Sequence, residues 1–188
     1  MGKQFSAILP EHEAFIKKQH MFFVGSAPLK ADGHVNLSPK GHDVLRIFSP
    51  SEVAYLDLTG SGNETSAHVE ENGRVTFMFC AFEGPPMIMR LYGTGRVVLP
   101  GTPEWEERIL HFELLPGARQ LIVADIHMVQ TSCGYAVPFF SYTGERETLK
   151  KWAEHKGEDG MRDYHREKNS YTLDGQMTPI GKRLSEAE

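Results

Sequence analysis

The stretch that decides the fold runs from His34 to Val69 and reads HVNLSPKGHDVLRIFSPSEVAYLDLTGSGNETSAHV. It holds two runs with the β-branched and aromatic content of strands, VLRIF and VAYLDL, separated by Ser49-Pro50-Ser51. After the second run the chain turns through Thr59-Gly60-Ser61-Gly62-Asn63-Glu64-Thr65 and enters a short helix. A turn of this kind can hold an anion. Backbone N–H groups free at a helix start, aided by the positive end of the helix dipole, attract phosphate oxygens, and Ser and Thr hydroxyls can complete the cradle. Lys40, just after the preceding strand, can supply balancing positive charge. The same residues also serve as plain turn chemistry, with Asn63 as a helix cap and Glu64 as a first-turn acid that complements the dipole. Neither of the two Gly-rich phosphate signatures is present: no GxGxxG follows a strand, and GxxxxGK[ST] does not occur.

Working outward toward the N-terminus, Pro10 opens EHEAFIKKQ, a helix with acids early and bases late. MFFVGSAP and HVNLS then form a hairpin across a turn at Asp32-Gly33, and Pro39 and Gly41 are expected to stop its second strand. In the other direction, Asn72-Gly73 ends the helix that starts near Asn63, and RVTFMFCAF follows as an apolar, buried strand broken by Glu83-Gly84-Pro85-Pro86. MIMRLYGTGRVVLP is a long strand whose Gly93 and Gly95 predict a bulge or bend. Thr102-Pro103 caps and opens a helix, PEWEERILHFELL, that ends at Gly117. LIVADIHMVQTSC is the last long strand, with Leu121, Val123 and Ile126 toward the core. ERETLKKWAEHK forms a helix that closes against Gly157, EDGMRDYHREKN adds another, and residues 171–188 read as a tail. The sum is a mainly β, α+β domain over residues 1–170, with about six mostly antiparallel strands and peripheral helices. Hairpins and glycine bends favour a closed or split barrel over alternating βαβ units.

At 188 residues with 40% hydrophobic content, the chain can bury the core of one domain. Its net charge of −5, with Lys and Arg dispersed, lacks the footprint that nucleic-acid binding requires. No run approaches the ~18 apolar residues of a membrane span, and the N-terminus lacks the apolar core of a secretory signal, so a cytoplasmic location is expected. Cys80 and Cys133 have neither zinc spacing nor a disulfide framework and read as reduced thiols. The nine histidines are scattered, without HExxH or an i, i+4 pair, so no metal site is assigned. A Ser-His-Asp hydrolase would need GxSxG, which is missing. Trp152, Phe139, Phe140 and Tyr142 could close over a ring ligand, but core or interface packing accounts for them more simply.

The order of HVNLSPKG, VAYLDLTGSGNETSAHV, GRVTFMFCAF, MRLYGTGRVV and QTSCGYAVP resembles the pyridoxamine 5'-phosphate oxidase-related FMN-binding proteins, from about Met21 to Pro138. The resemblance implies a split barrel, a homodimer and FMN in a groove between subunits. It puts Asn36, Ser38 and Lys40 beside the flavin, Asp57 and Thr59 at the strand end next to it, and Ser61, Gly62, Asn63 and Thr65 at its phosphate and ribityl chain. It also implies that Gln130, Ser132, Cys133 and Tyr135 approach the ring of the partner subunit's flavin; a strand end and turn is the plain alternative. The vitamin oxidase itself carries a Ser-Arg-Lys run where this chain has Ser61-Gly62-Asn63, so positive charge must come from Lys40 and from Arg90 on the bent strand.

The expectation is therefore an FMN-dependent oxidoreductase acting on a small-molecule substrate or electron donor. The flavin carries the hydride or electrons, and no side chain is assigned a separate catalytic role. A flavin carrier or sensor without turnover, or a split barrel that uses deazaflavin or haem, stays open at this point.

Overall fold

Two long strands, β7 (Ile88–Val98) and β8 (Ala118–Ser132), form the spine of the computed structural model, which describes residues 2–186. Around them lie β1 (Lys3–Phe5), β2 (Phe22–Ser26), β3 (Asn36–Lys40), β4 (Leu45–Ser49), β5 (Glu52–Leu58) and β6 (Arg74–Cys80). The order is β3-β2-β6-β7-β8-β5-β4, with β1 paired to the far end of β8, and all these pairings are antiparallel. Phe22 on β2 and Tyr55 on β5 stand four strands apart in that order, about 19 Å on a flat sheet at ~4.8 Å per strand. Their rings instead meet edge to face at 5.8 Å. The sheet therefore curls around one core, while its edges β3 and β4 stay unpaired with each other. This is a split barrel of the α+β class.

The bend has a local cause. The β7–β8 register shifts between Tyr92 and Gly93, and a Cβ at Gly93 would stand 2.7 Å from the Asp125 carbonyl oxygen, so only glycine lets the two backbones approach there. Leu121, Ile122, Val123 and Ala124 on β8 are all fully buried, as befits a strand covered on both faces, and Ile126 is 4% exposed.

Among the described residues five α-helices surround the sheet: α1 (Pro10–Ile16), α2 (Glu64–Asn72), α3 (Pro103–Arg108), α4 (Thr148–Tyr164) and α5 (Pro179–Glu186). Gly73, at φ 73°, closes α2 in the left-handed conformation that glycine adopts without strain. Gly157, at φ 64° and ψ 179°, breaks α4 where the sequence places the boundary between two helices.

Several elements differ from the sequence expectation. The strands number eight among the described residues; β1 was missed because three residues carry no readable alternation. Pro39 does not stop β3 but sits within it, tolerated because β3 is an edge strand on which a missing N–H breaks no ladder. The β2–β3 hairpin uses a long loop, residues 27–35, in place of a tight Asp32-Gly33 turn. Helix α3 is short and passes into a 3₁₀ turn at Ile109–His111. Residues 171–186 are not a loose tail. Tyr171 bridges Met177, Thr178 is 1% exposed, and Gly181 packs so closely on the Ser170 carbonyl that a side chain could not fit. Ala187 and Glu188 lie outside the described residues.

Candidate functional site

A groove of about 1590 Å³ runs between β3, the C-terminal end of β5, the Thr59–Thr65 turn and the loops around residues 81–87 and 140–146. Alternation on β3 turns Asn36, Ser38 and Lys40 to one side and leaves Leu37 and Pro39 exposed. All nine residues expected from Asn36 through Thr65 line this groove: Asn36, Ser38, Lys40, Asp57, Thr59, Ser61, Gly62, Asn63 and Thr65. Asn36 Nδ2 donates to Thr65 Oγ1 at 2.9 Å and ties β3 to the start of α2.

The floor is organised by Asp57, which is 2% exposed. Its Oδ1 accepts from Lys40 Nζ at 2.9 Å, and its Oδ2 accepts from Arg119 Nε and Gln120 Nε2, each at 2.8 Å. Two consecutive residues of β8 can reach one oxygen because the strand is bulged. Asp57 pairs with Gln120 and Leu58 with Ala118, so Arg119 is the extra residue whose side chain the bulge re-aims. Burial pushes the Asp57 carboxyl up, but the charges of Arg119 and Lys40 and their hydrogen bonds outweigh it and hold it well below the usual carboxylate range. Lys40, expected to face an anion, is thus also committed to a carboxylate.

The turn itself is held from the C-terminal segment. Thr59 Oγ1 donates to the Gly117 carbonyl at 2.8 Å and lies 2.8 Å from His165 Nε2. With that hydroxyl proton engaged, the His165 Nε2–H is the donor to Thr59. Burial first, and then the positive charge of Arg119, lower His165 to about 4, so the ring is neutral at pH 7. Asn169 Oδ1 accepts from Arg119 Nη1 at 3.0 Å and its Nδ2 donates to the Gly60 carbonyl at 3.1 Å. Asn63 does not cap α2: its Oδ1 accepts from Gln120 Nε2 at 2.8 Å, and no side chain caps the first turn among the described residues. The N–H groups at the start of α2 are therefore left to the groove, an arrangement that suits an anion.

The rim carries a polar strap. Phe140 N donates to the Phe82 carbonyl at 3.1 Å, Tyr142 stacks on His20 at 3.7 Å, and the His42 N–H donates to Glu145 Oε2 at 3.1 Å. Phe139 and Phe140 are 79% and 61% exposed, so in the single chain they are not core.

Four expected residues lie elsewhere. Arg90, Gln130, Ser132 and Cys133 cluster on β7 and the end of β8, where Arg90 Nη1 lies 3.5 Å from Ser132 Oγ and Gln130 Oε1 accepts from Tyr92 OH at 3.2 Å. They do not line the groove of their own chain, and neither does Tyr135, which is 82% exposed. Arg119, His165 and Asn169 were missed. Arg119 carried a signal, a charge at the head of the apolar run LIVADI; His165 and Asn169 carried none, since only folding brings them to the turn.

An open, curled antiparallel sheet with a groove against an uncapped helix start defines a split-barrel protein able to accept an anionic ligand. Residues 8–133 match the pyridoxamine 5'-phosphate oxidase family. The chain is 42% identical over 175 residues to the pyridoxamine 5'-phosphate oxidase family protein ustO of Aspergillus flavus, covering 84% of this chain and 70% of that one. Among solved structures it resembles a variant of HupZ from Group A Streptococcus, with TM-score 0.53 and 19% identity, over 66% of this chain and 99% of that one. It also resembles a pyridoxamine 5'-phosphate oxidase-like protein of Lactobacillus delbrueckii, with TM-score 0.52 and 17% identity, over 66% and 94% of the two chains. The chain belongs to the pyridoxamine 5'-phosphate oxidase family.

Proposed function

We propose that this chain is a homodimeric FMN-binding oxidoreductase that acts on a small-molecule substrate or electron donor. The observation that carries the reading is the uncapped start of α2 in the wall of a groove of about 1590 Å³, ample in volume for a phosphate, a ribityl chain and a ring. Family membership supports it. The donor set fits: N–H groups at the start of α2 and the Ser61 hydroxyl would meet the phosphate, with Lys40 and Arg119 supplying positive charge beside it. Asn36 and Ser38 would line the ribityl chain and ring edge. Bound flavin would supply the hydride or electron transfer, and the protein's part would be to orient it and exclude water.

The cluster of Gln130, Ser132 and Cys133 does not line its own groove, and a two-fold dimer would bring such a patch to the partner's site. Mixing subunits tests this: a chain with a disabled turn and a chain with a damaged β8 exit should together regain one working site. Flavin binding in the mixture no better than in either variant alone refutes the shared site.

The test of the cofactor is the visible spectrum of protein purified without added ligand, followed by identification of the released chromophore. FMN supports the proposal; haem or a deazaflavin replaces it. Anaerobic reduction by a nicotinamide then separates an oxidoreductase from a carrier, which would bind flavin without turnover.

A further inference from the structure

Arg119 is 5% exposed at its side chain, and it lines the groove beside the turn. Its Nε and Nη1 are engaged by Asp57 Oδ2, the Gly62 carbonyl and Asn169 Oδ1, while Nη2 donates to nothing among the described residues. A guanidinium holds five N–H donors in a fixed fork, and Nη2 stays open to the groove, so this edge is the one that a ligand oxygen would meet. Its orientation depends on Asn169, itself fully buried. The Asn169 side chain spans Arg119 and the Gly60 carbonyl, and its own carbonyl accepts from Thr178 Oγ1 at 2.6 Å.

The same segment acts on Glu64. This carboxylate lies against Gly62, where it would oppose an anion, and its Oε1 accepts from the Leu173 N–H at 3.3 Å. Lys40 and Arg119 are balanced in formal charge by Asp57 and Glu64. The turn therefore has no surplus of positive charge, and anion binding depends on which charges stand closest. Asn169 and Leu173 both lie beyond residue 133, where the family match ends.

We propose that residues 165–178 build the anion site of this groove, with Asn169 aiming the free edge of Arg119 at the phosphate of a phosphomonoester while Leu173 draws the Glu64 carboxylate aside. The proposal rests on the ligand reading above only in taking FMN as the phosphomonoester. Asn169 is a positioning residue that acts through Arg119.

The experiment measures the affinity of the full chain for FMN and for riboflavin, which lacks the phosphate, in wild type, Asn169→Asp and Glu64→Gln. Asn169→Asp places a carboxylate on Arg119 and should lower FMN affinity at least tenfold while riboflavin stays within twofold. Glu64→Gln, at a partly exposed position, should raise FMN affinity three- to tenfold with riboflavin unchanged. A merely structural role for Asn169 would weaken both ligands alike, and that result overturns the proposal. So does an unchanged FMN-to-riboflavin ratio in either folded variant; if Asn169→Asp does not fold, Glu64→Gln alone decides. Should the wild type bind neither flavin, thermal stabilisation by inorganic phosphate takes their place. Stabilisation that shrinks in Asn169→Asp or grows in Glu64→Gln upholds the anion site and removes the flavin reading, and no effect of phosphate on the wild type refutes the site.

Discussion

Replacing Asp57 by Asn removes one charge from the floor of the groove and almost no volume. The carboxylate now accepts from Lys40, Arg119 and Gln120 at 2.8–2.9 Å, at 2% exposure. Without it two cations face each other across an amide. Removing one partner of a buried ion pair costs about 3–5 kcal/mol. Lys40, at 18% side-chain exposure, can swing toward water in the groove, whereas Arg119, at 5%, cannot, so the low end of that range, about 3 kcal/mol, is expected. For a chain of this size that corresponds to a fall in Tm of roughly 10 °C. Urea denaturation of wild type and Asp57→Asn at pH 7 measures it. Because the folded carboxyl titrates below its unfolded range, its stabilisation is complete above pH ~4 and is lost as pH falls below that value. The wild type should show this acid slope and the variant should not. Asp57→Asn should at the same time bind inorganic phosphate more tightly, since Lys40 and Arg119 are released from their counter-ion. A loss below about 1 kcal/mol at pH 7, or an acid slope unchanged in the variant, refutes the assignment of Asp57 as the charge that organises the floor.

His165 is held near pKa 4 in the folded chain against about 6.5 unfolded, so neutral His165 contributes stability above pH 6.5 that is lost as pH falls toward 4. His165→Gln should flatten the stability profile in that window, by on the order of 1 kcal/mol once its partial exposure is allowed for. Gly181→Ala drives a methyl into the Ser170 backbone and should lift α5 from the domain, seen as faster proteolysis near residue 178 with the β-sheet signal in circular dichroism retained. Gly93→Ala meets the Asp125 carbonyl at the bulge and should cost about 1–3 kcal/mol in chemical denaturation. Gln130→Ala or Ser132→Ala should shift the reduction potential of bound flavin more than its affinity, as measured by spectroelectrochemistry alongside titration; an effect on affinity alone separates these residues from the ring.

Much of the barrel was legible along the chain because its signals are local. The apolar runs around Tyr55, Phe77 and Leu121 mark buried strands, Gly93 marks the bend, and Gly73 and Gly157 mark helix ends, each through a conformation or an alternation that neighbouring residues express. The groove residues from Asn36 to Thr65 were legible for the same reason: they lie within one strand–loop–strand–turn stretch. The edge position that admits Pro39 and the packing of residues 171–186 were not, because both depend on which segment becomes a neighbour.

By itself the sequence determined most of the strands, the helix start at Asn63 and the glycines that bend the sheet, since hydrophobic period and backbone freedom are properties of adjacent residues. Only the tertiary structure decided the charges of the site. One bulge in β8 brings Arg119 and Gln120 onto the same oxygen of Asp57, 62 and 63 positions away in sequence. The fold then returns Asn169 to Arg119 and Gly60 across 50 and 109 positions. Hydrogen bonds between such distant residues leave no periodic mark on the chain. Their donors and acceptors read as ordinary polar residues until burial forces each to find its partner.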